Sequence, residues 1–369
     1  MTFLQSGARP SSIVALSQEI QRRSAESGLE YLRCERGIPA VCSIDLPAIL
    51  PTIDFGDPAL LTYPPSTGQP GLKAAINAAY FSGRADPHKI FITTGASMGL
   101  DLLFQMLDVD RVVLPEVHWP TYREILKVHR RTPGTYASLE DLHDRPADYA
   151  RAAVVLCDPN NPTGDKLPDA LLLRVAARLG EAGVSVIIDC PYRRIFFEAD
   201  DPFFREMSAI DNVVIVESFS KTLGMSGLRA GFVYTVDPAF AAEFGLRLAL
   251  PSNGVDNFAQ RVAEKFLADP RGLEAARRFR RRTVIDVERN IALLEARGLL
   301  ARPFYRTNRC MGIFAIVAKT EAELLAGRIG SMSLESFTES NKAAAARYAR
   351  VNVAVPHERF AAFFGAIQA

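Results

Sequence analysis

The chain has 369 residues, 48% of them hydrophobic, which is enough to bury a large core in two domains or in one domain with a lobe. A formal net charge of +1 gives no field for nucleic acid or an anionic membrane, so the expected partner is a small molecule. Five scattered cysteines without CxxC spacing, and histidines without ligand spacing, point to reduced thiols with no disulfide framework and no metal site. The chain has neither a charged-then-apolar leader pattern nor a membrane-length apolar run, so a cytoplasmic protein is expected.

The first expected element is a helix over Ser11 to Ser27, with Ile13, Leu16 and Ile20 on one side. Arg36-Gly37-Ile38-Pro39 is a turn in which Gly37 can expose its backbone N–H. Thr62 to Lys73 is loop chemistry, with Tyr63 near its start, leading into a helix whose face is Leu72, Ile76 and Tyr80. Lys89 to Thr93 reads as a strand, and Gly95-Ala96-Ser97 opens a helix whose free N–H groups form a phosphate cradle or a simple cap. Another short strand, Arg111 to Leu114, leads to a loop holding Trp119, a lone tryptophan that suits a core or a stacking surface.

Ala152 to Cys157 is a buried strand ending in Asp158-Pro159-Asn160-Asn161-Pro162-Thr163-Gly164. A helix from Asp169 to Ala182 returns to the strand Val184 to Ile188, which delivers Asp189, with Tyr192 just beyond. A carboxylate closing a wholly apolar strand is costly unless it is paired. The next buried strand, Asn212 to Val216, places Lys221 beyond its C-terminal end, where open α/β sheets keep their ligand sites. That lysine can offer an amine for a Schiff base while Ser218, Ser220 and Arg229 hold a phosphate.

Ala230 to Thr235 continues the sheet, Asn253 to Gln260 opens another helix, and a long helix runs from Asp269 to about Ala296. The arginines from Arg277 to Arg282 form its solvated face, since acids balance them overall. Strands near Met311 to Ile316 and Tyr348 to Ala354, with a closing helix, complete a smaller lobe. Arg350 lies inside the latter strand and needs a partner, either an internal acid or a substrate carboxylate. Strand, loop and helix alternate throughout, the grammar of an α/β sheet covered on both faces.

Three stretches carry a family signature: Asn161-Pro162-Thr163-Gly164, Asp189-Cys190-Pro191-Tyr192, and Ser218 to Arg229 around Lys221. The chain resembles the fold-type I aminotransferases, the pyridoxal 5'-phosphate (PLP) enzymes related to aspartate aminotransferase. The resemblance implies a large domain with a mostly parallel mixed sheet, residues 41–270. It also implies a smaller α+β lobe built from the N-terminal segment 1–40 and residues 271–369. It gives Lys221 the Schiff base, Asp189 the pyridine nitrogen and Asn161 the phenolic oxygen, and counts Tyr192 among the catalytic and cofactor-binding residues. Trp119 stacks on the ring, and Gly95, Ala96, Ser97, Ser218, Ser220 and Arg229 hold the phosphate. Arg350, with Gly37 and Asn161, binds the substrate carboxylate, and Tyr63 reaches the phosphate of a neighbouring subunit, which implies a homodimer. The implied reaction moves an amino group between an L-amino acid and a 2-keto acid, with Lys221 as nucleophile and base. A PLP lyase, cyclase or decarboxylase would use the same residues, and a non-catalytic PLP-binding regulator would carry the same domain. The segment Arg328 to Phe337 departs from the family pattern, so substrate identity stays open.

Overall fold

The structure, a computed structural model, describes residues 1, 4–197, 201–305, 310 and 312–368. Its first helix, α1 (Ser12–Ser27), starts and ends where the apolar spacing predicts, closed by Gly28 in the left-handed region. A short strand β1 (Leu32–Arg33) and the helix α2 (Pro70–Phe81) lead into the main sheet.

That sheet contains β2 (Ile90–Thr93), β3 (Arg111–Pro115), β4 (Pro133–Tyr136), β5 (Ala152–Cys157), β6 (Ser185–Asp189), β7 (Val213–Ser218) and β8 (Gly231–Thr235). Their spatial order is β2-β8-β7-β6-β5-β3-β4. Pairing is parallel from β7 through β4, whereas β8 pairs antiparallel with both neighbours. Six strands therefore share one direction and only β8 opposes them. The strands read as continuous apolar runs because alternate residues feed opposite faces. Val154 and Leu156 join one buried cluster, while Ala153 and Val155 join another.

Helices cover both faces. α3 (Ala96–Met106), α4 (Pro120–Val128), α5 (Leu139–Asp144) and α6 (Asp169–Glu181) follow successive strands. The short α7 (Arg193–Phe196), α8 (Phe203–Met207) and α9 (Phe219–Thr222) come next, then α10 (Pro238–Ser252), α11 (Asn257–Ala268) and α12 (Pro270–Ala296). The helix expected to open at Asn253 instead begins at Asn257, because Asn253 caps α10 in the left-handed region and the Asp256 side chain caps α11. α12 spans two apolar clusters: Phe279 packs with the main sheet, whereas Val287, Ile291 and Leu294 pack elsewhere.

That second cluster is built on β9 (Phe314–Val317), α13 (Glu321–Ala326), β10 (Ile329–Gly330), β12 (Ala349–Asn352) and α15 (His357–Phe364), while β11 (Met332–Ser333) and α14 (Lys342–Ala345) feed Met332 and Ala345 into a smaller neighbouring cluster. β12 pairs antiparallel with β9 and β11, and β1 pairs parallel with β10, so Leu32 and Cys34 join the second cluster from the N-terminal side. Met311, expected in a strand, lies outside the described residues.

Candidate active site

The parallel strands converge on one cavity of about 340 Å3 at their carboxyl ends. It is lined by Gly37, Ala96, Ser97, Trp119, Asn161, Asp189, Tyr192, Ser218, Ser220, Lys221, Arg229 and Arg350, with Gly95 immediately behind Arg229. Sheet register aligns the ends of the main strands, whereas Gly37 reaches Arg350 because Arg350 and Asn352 bond the carbonyls of Glu35, Arg36 and Ile38 around it. Cys157 pairs with Asp189, and Ser218 with Gly231.

Lys221 sits on α9, a single turn that follows β7 directly and is capped by the Ser218 side chain on Ser220 N–H at 3.3 Å. Its Nζ donates to the Gly37 carbonyl at 2.5 Å, so the expected Gly37 turn meets the lysine through its oxygen. Burial, reinforced by the like charges of Arg350 and Arg229, lowers the Lys221 pKa to about 8.

Asp189 ends β6 almost fully buried. The Tyr122 hydroxyl donates to its Oδ2, while Oδ1 has no hydrogen-bond partner among the described residues. Burial pushes its pKa up to about 6, against the Tyr122 donor and the Lys221 charge, which pull it down.

Asn161 Nδ2 lies 3.4 Å from the Tyr192 hydroxyl, and Arg350 Nη1 lies 3.4 Å from Asn161 Oδ1. Arg350 is fully buried, donates to the Glu35 carbonyl, and packs its guanidinium 4.4 Å from the centre of the Phe314 ring. No carboxylate stands within ion-pair distance of it among the described residues, and burial lowers its pKa to about 10. The internal ion pair that would have explained this arginine is therefore missing from the described part of the chain.

At the other end Arg229, itself in the left-handed region, reaches Ser220 Oγ at 3.4 Å and the Ser226 carbonyl at 2.9 Å. Gly95 has a φ of +79°, and a Cβ there would come within 3.0 Å of Arg229 Nη2. A side chain would close the space between the start of α3 and this guanidinium. Gly164 closes the Asn161 turn under a similar demand, since a Cβ would sit 2.0 Å from the Phe314 carbonyl oxygen.

Trp119 is half-buried at the start of α4 and meets the Tyr122 ring edge-on at 5.4 Å. Tyr63 is not brought to this cavity; it is 85% exposed on the surface. Tyr122, Cys157, Ser11, Ile13, Thr121 and Ser226 also line the cavity and were not singled out by the sequence. Tyr122 had a usable signal, because it lies three residues after Trp119 at a helix start and so shares its face. Ser11 and Ile13 had none, since only tertiary packing brings α1 here.

Comparison with known proteins follows this geometry. A 236-residue stretch is 30% identical to a probable aspartate/prephenate aminotransferase of Aquifex aeolicus, covering 59% of each chain. A 136-residue stretch is 36% identical to an aromatic amino acid aminotransferase of Streptomyces coelicolor, covering 36% of each. The matched parts thus span between about a third and three-fifths of these relatives' own lengths. Among solved structures, the aspartate aminotransferase of Thermus thermophilus with maleate superposes with a TM-score of 0.80 at 19% identity, over 99% of this chain and 98% of that one. An aminotransferase of Mycobacterium tuberculosis gives 0.82 at 20% identity, over 99% and 97%. These two show the aspartate aminotransferase-like fold that the sequence resemblance implied. The family model "Aminotransferase class I and II" matches residues 54–320, most of the sequence, and the chain belongs to that family.

Proposed function

We propose that this protein is a PLP-dependent aminotransferase that exchanges an amino group between an L-amino acid and a 2-keto acid. One observation carries the reading. A single cavity holds the Lys221 amine, a buried Asp189 oxygen and an Arg350 guanidinium, and among the described residues the oxygen has no hydrogen-bond partner and the guanidinium no carboxylate partner.

The residues fit the cofactor. The unpartnered Asp189 Oδ1 suits a protonated pyridine nitrogen, which would repay the burial of the carboxylate. Arg229, Ser218, Ser220 and the N–H groups of Ala96 and Ser97 suit a phosphate, with Gly95 keeping that end open. Asn161 and Tyr192 suit the phenolic oxygen, and Trp119 suits the ring face.

Bound there, PLP supplies an aldehyde that condenses with amines and a ring that accepts the electrons released at the substrate's Cα. Lys221 contributes the amine that anchors the aldehyde and, once released, moves the proton from Cα; a pKa near 8 leaves its Nζ able to do so near neutrality. Asp189 holds the ring-nitrogen proton, with Tyr122 keeping the carboxylate in place. Arg350 binds the substrate carboxylate through its fork, with Gly37 beside it, and so orients Cα toward Lys221. A lyase, cyclase or decarboxylase would use the same groups, and family membership favours amino transfer over them.

The same reading divides the chain into a PLP-binding domain over 41–270 and a smaller lobe from 1–40 and 271–369, supported by the separate apolar clusters. It also makes the protein a homodimer. Tyr63, Leu61 and Phe55 are exposed beside α10 and α11, where Leu250 is 78% exposed, and such an apolar surface suits a second copy. A cytoplasmic setting agrees with five free cysteines, four of them buried, and among the described residues no helix is long and apolar enough to cross a membrane.

Borohydride reduction of the purified protein, followed by peptide mapping, tests the reading. The cofactor is expected covalently on Lys221 and absent from Lys221→Ala. Fixation at another residue, or none in the wild type, would remove Lys221 from this role.

A further inference from the structure

A buried group of charges behind the cavity ties together the two loops that carry Asn161 and Tyr192. Arg193 follows Tyr192 directly and its side chain is fully buried, while Asp158, three residues before Asn161, is 1% exposed. Asp158 closes its own loop: Oδ1 accepts from Leu167 N–H at 2.8 Å, and Oδ2 lies 2.9 Å from Lys166 Nζ. Arg193 Nη1 stands 3.6 Å from that same Oδ2. Its two Nη atoms fork onto Asp169 at 2.8 Å each, and Nε and Nη2 reach Asp201 at 2.5 and 2.6 Å. The guanidinium also lies 3.9 Å from the centre of the Phe203 ring. A planar fork engaged on every edge and on a face has no freedom to turn.

The two loops leave neighbouring strands whose backbones pair as far as Asp158 N–H on the Asp189 carbonyl at 3.2 Å, but on the cavity side their side chains make only long contacts. Asn161 to Tyr192 and Asn161 to Arg350 are both 3.4 Å. Hydrogen bonds of that length restrain little, so beyond the strand pairing these side chains are steadied from behind. Stability alone is a poor reason for the cluster. It holds three acids against two bases, and buried ion clusters contribute little beyond well-packed apolar residues of the same volume.

We infer that Arg193 and Asp158 are positioning residues: Arg193 forks onto Asp169, which Lys166 Nζ reaches at 2.7 Å while also holding Asp158 at 2.9 Å, and this link sets Asn161 against Tyr192 and, through Asn161, the grip of Arg350 on a carboxylate. This rests on the cavity reading given above.

The test uses the holoenzyme with Arg193→Lys, which keeps the charge and loses the fork, and Asp158→Asn, which keeps an acceptor for Leu167 and loses the charge facing Arg193. Two readouts are followed beside the melting temperature. One is the pH midpoint of the bound cofactor's visible band, which reports Asn161 and Tyr192. The other is the dissociation constant of hydrocinnamate, a non-reacting monocarboxylate that reports Arg350. Both variants are expected to shift the midpoint and to weaken hydrocinnamate about tenfold, the scale of a sub-ångström misplacement. Arg178→Gln, which breaks an exposed pair with Glu181 on the same helix α6, is expected to change neither. If both variants melt lower yet keep the wild-type midpoint and dissociation constant, the cluster is structural only and the inference is overturned. Should Arg193→Lys fail to fold, Asp158→Asn decides by the same criteria. A wild-type protein with no cofactor band overturns the cavity reading itself, and the inference falls with it.

Discussion

Asp189→Asn is expected to stabilise the cofactor-free protein while crippling turnover, and the two signs can be worked from one carboxylate. Burial holds Asp189 at about 6 in the folded chain, against about 3.9 for an exposed aspartate. Between those values the folded state binds more protons than the unfolded state, so this group's contribution falls as pH rises from about 4 to about 6. Two units amount to about 3 kcal/mol, lost in full by about pH 8. Asparagine carries no charge to desolvate and still offers an oxygen to the Tyr122 hydroxyl. Urea midpoints of the two cofactor-free proteins should therefore nearly coincide at about pH 4 and separate by about 2 to 3 kcal/mol in favour of the variant at about pH 8. Turnover should move the other way. A lost charge-assisted bond to the ring nitrogen is worth on the order of 2 to 4 kcal/mol, or roughly 30- to 1,000-fold in rate. A variant less stable than wild type at pH 8, or a stability gap that does not change with pH, would refute the reasoning about burial. An unchanged rate at saturating PLP would remove Asp189 from the site.

Tyr122→Phe removes the donor that holds Asp189 below where burial alone would put it. The acid limb of the pH–rate profile should move up, and turnover should fall about tenfold, the scale of one such bond. Arg350→Gln should raise KM for the amino donor by roughly a hundredfold. It should leave the melting temperature unchanged or higher, because the buried guanidinium has no carboxylate partner among the described residues; a KM equal to wild type would place the carboxylate elsewhere. Tyr63→Ala should weaken PLP binding only if subunits share sites, and sedimentation should find a dimer; a fully active monomer would contradict both.

The main sheet was legible because its strands are buried on both faces, so β5, β6 and β7 each read as an unbroken apolar run closed by a polar residue. That closure also revealed Asp189 and the Ser218 to Lys221 turn, since a polar group at the end of such a run must face something. β4 was invisible for the opposite reason. It is an edge strand containing Pro133 and Gly134 and is mostly exposed, a place where proline and glycine are tolerated and periodicity is lost. α10 was missed because only Phe244 and Leu248 of its fifteen residues are buried, and its remaining leucines face outward. Arg350 could be flagged from sequence as a charge in an apolar strand, but its surroundings could not. The Glu35 carbonyl and the Phe314 ring are supplied by segments far away in the chain. Asp158 read as part of a turn and Arg193 drew no reading from sequence, and only the fold shows both buried and close together.

The central claim is amino transfer at Lys221, and the half-reaction tests it most directly. The purified holoenzyme is mixed with single L-amino acids, its absorbance is followed, and products are identified by mass. A productive donor should convert the bound cofactor to its pyridoxamine form with one equivalent of the matching 2-keto acid released, and a second 2-keto acid should restore the starting spectrum. If the productive donor instead releases carbon dioxide, or an eliminated or cyclised product, while the cofactor remains pyridoxal phosphate, the aminotransferase account is wrong.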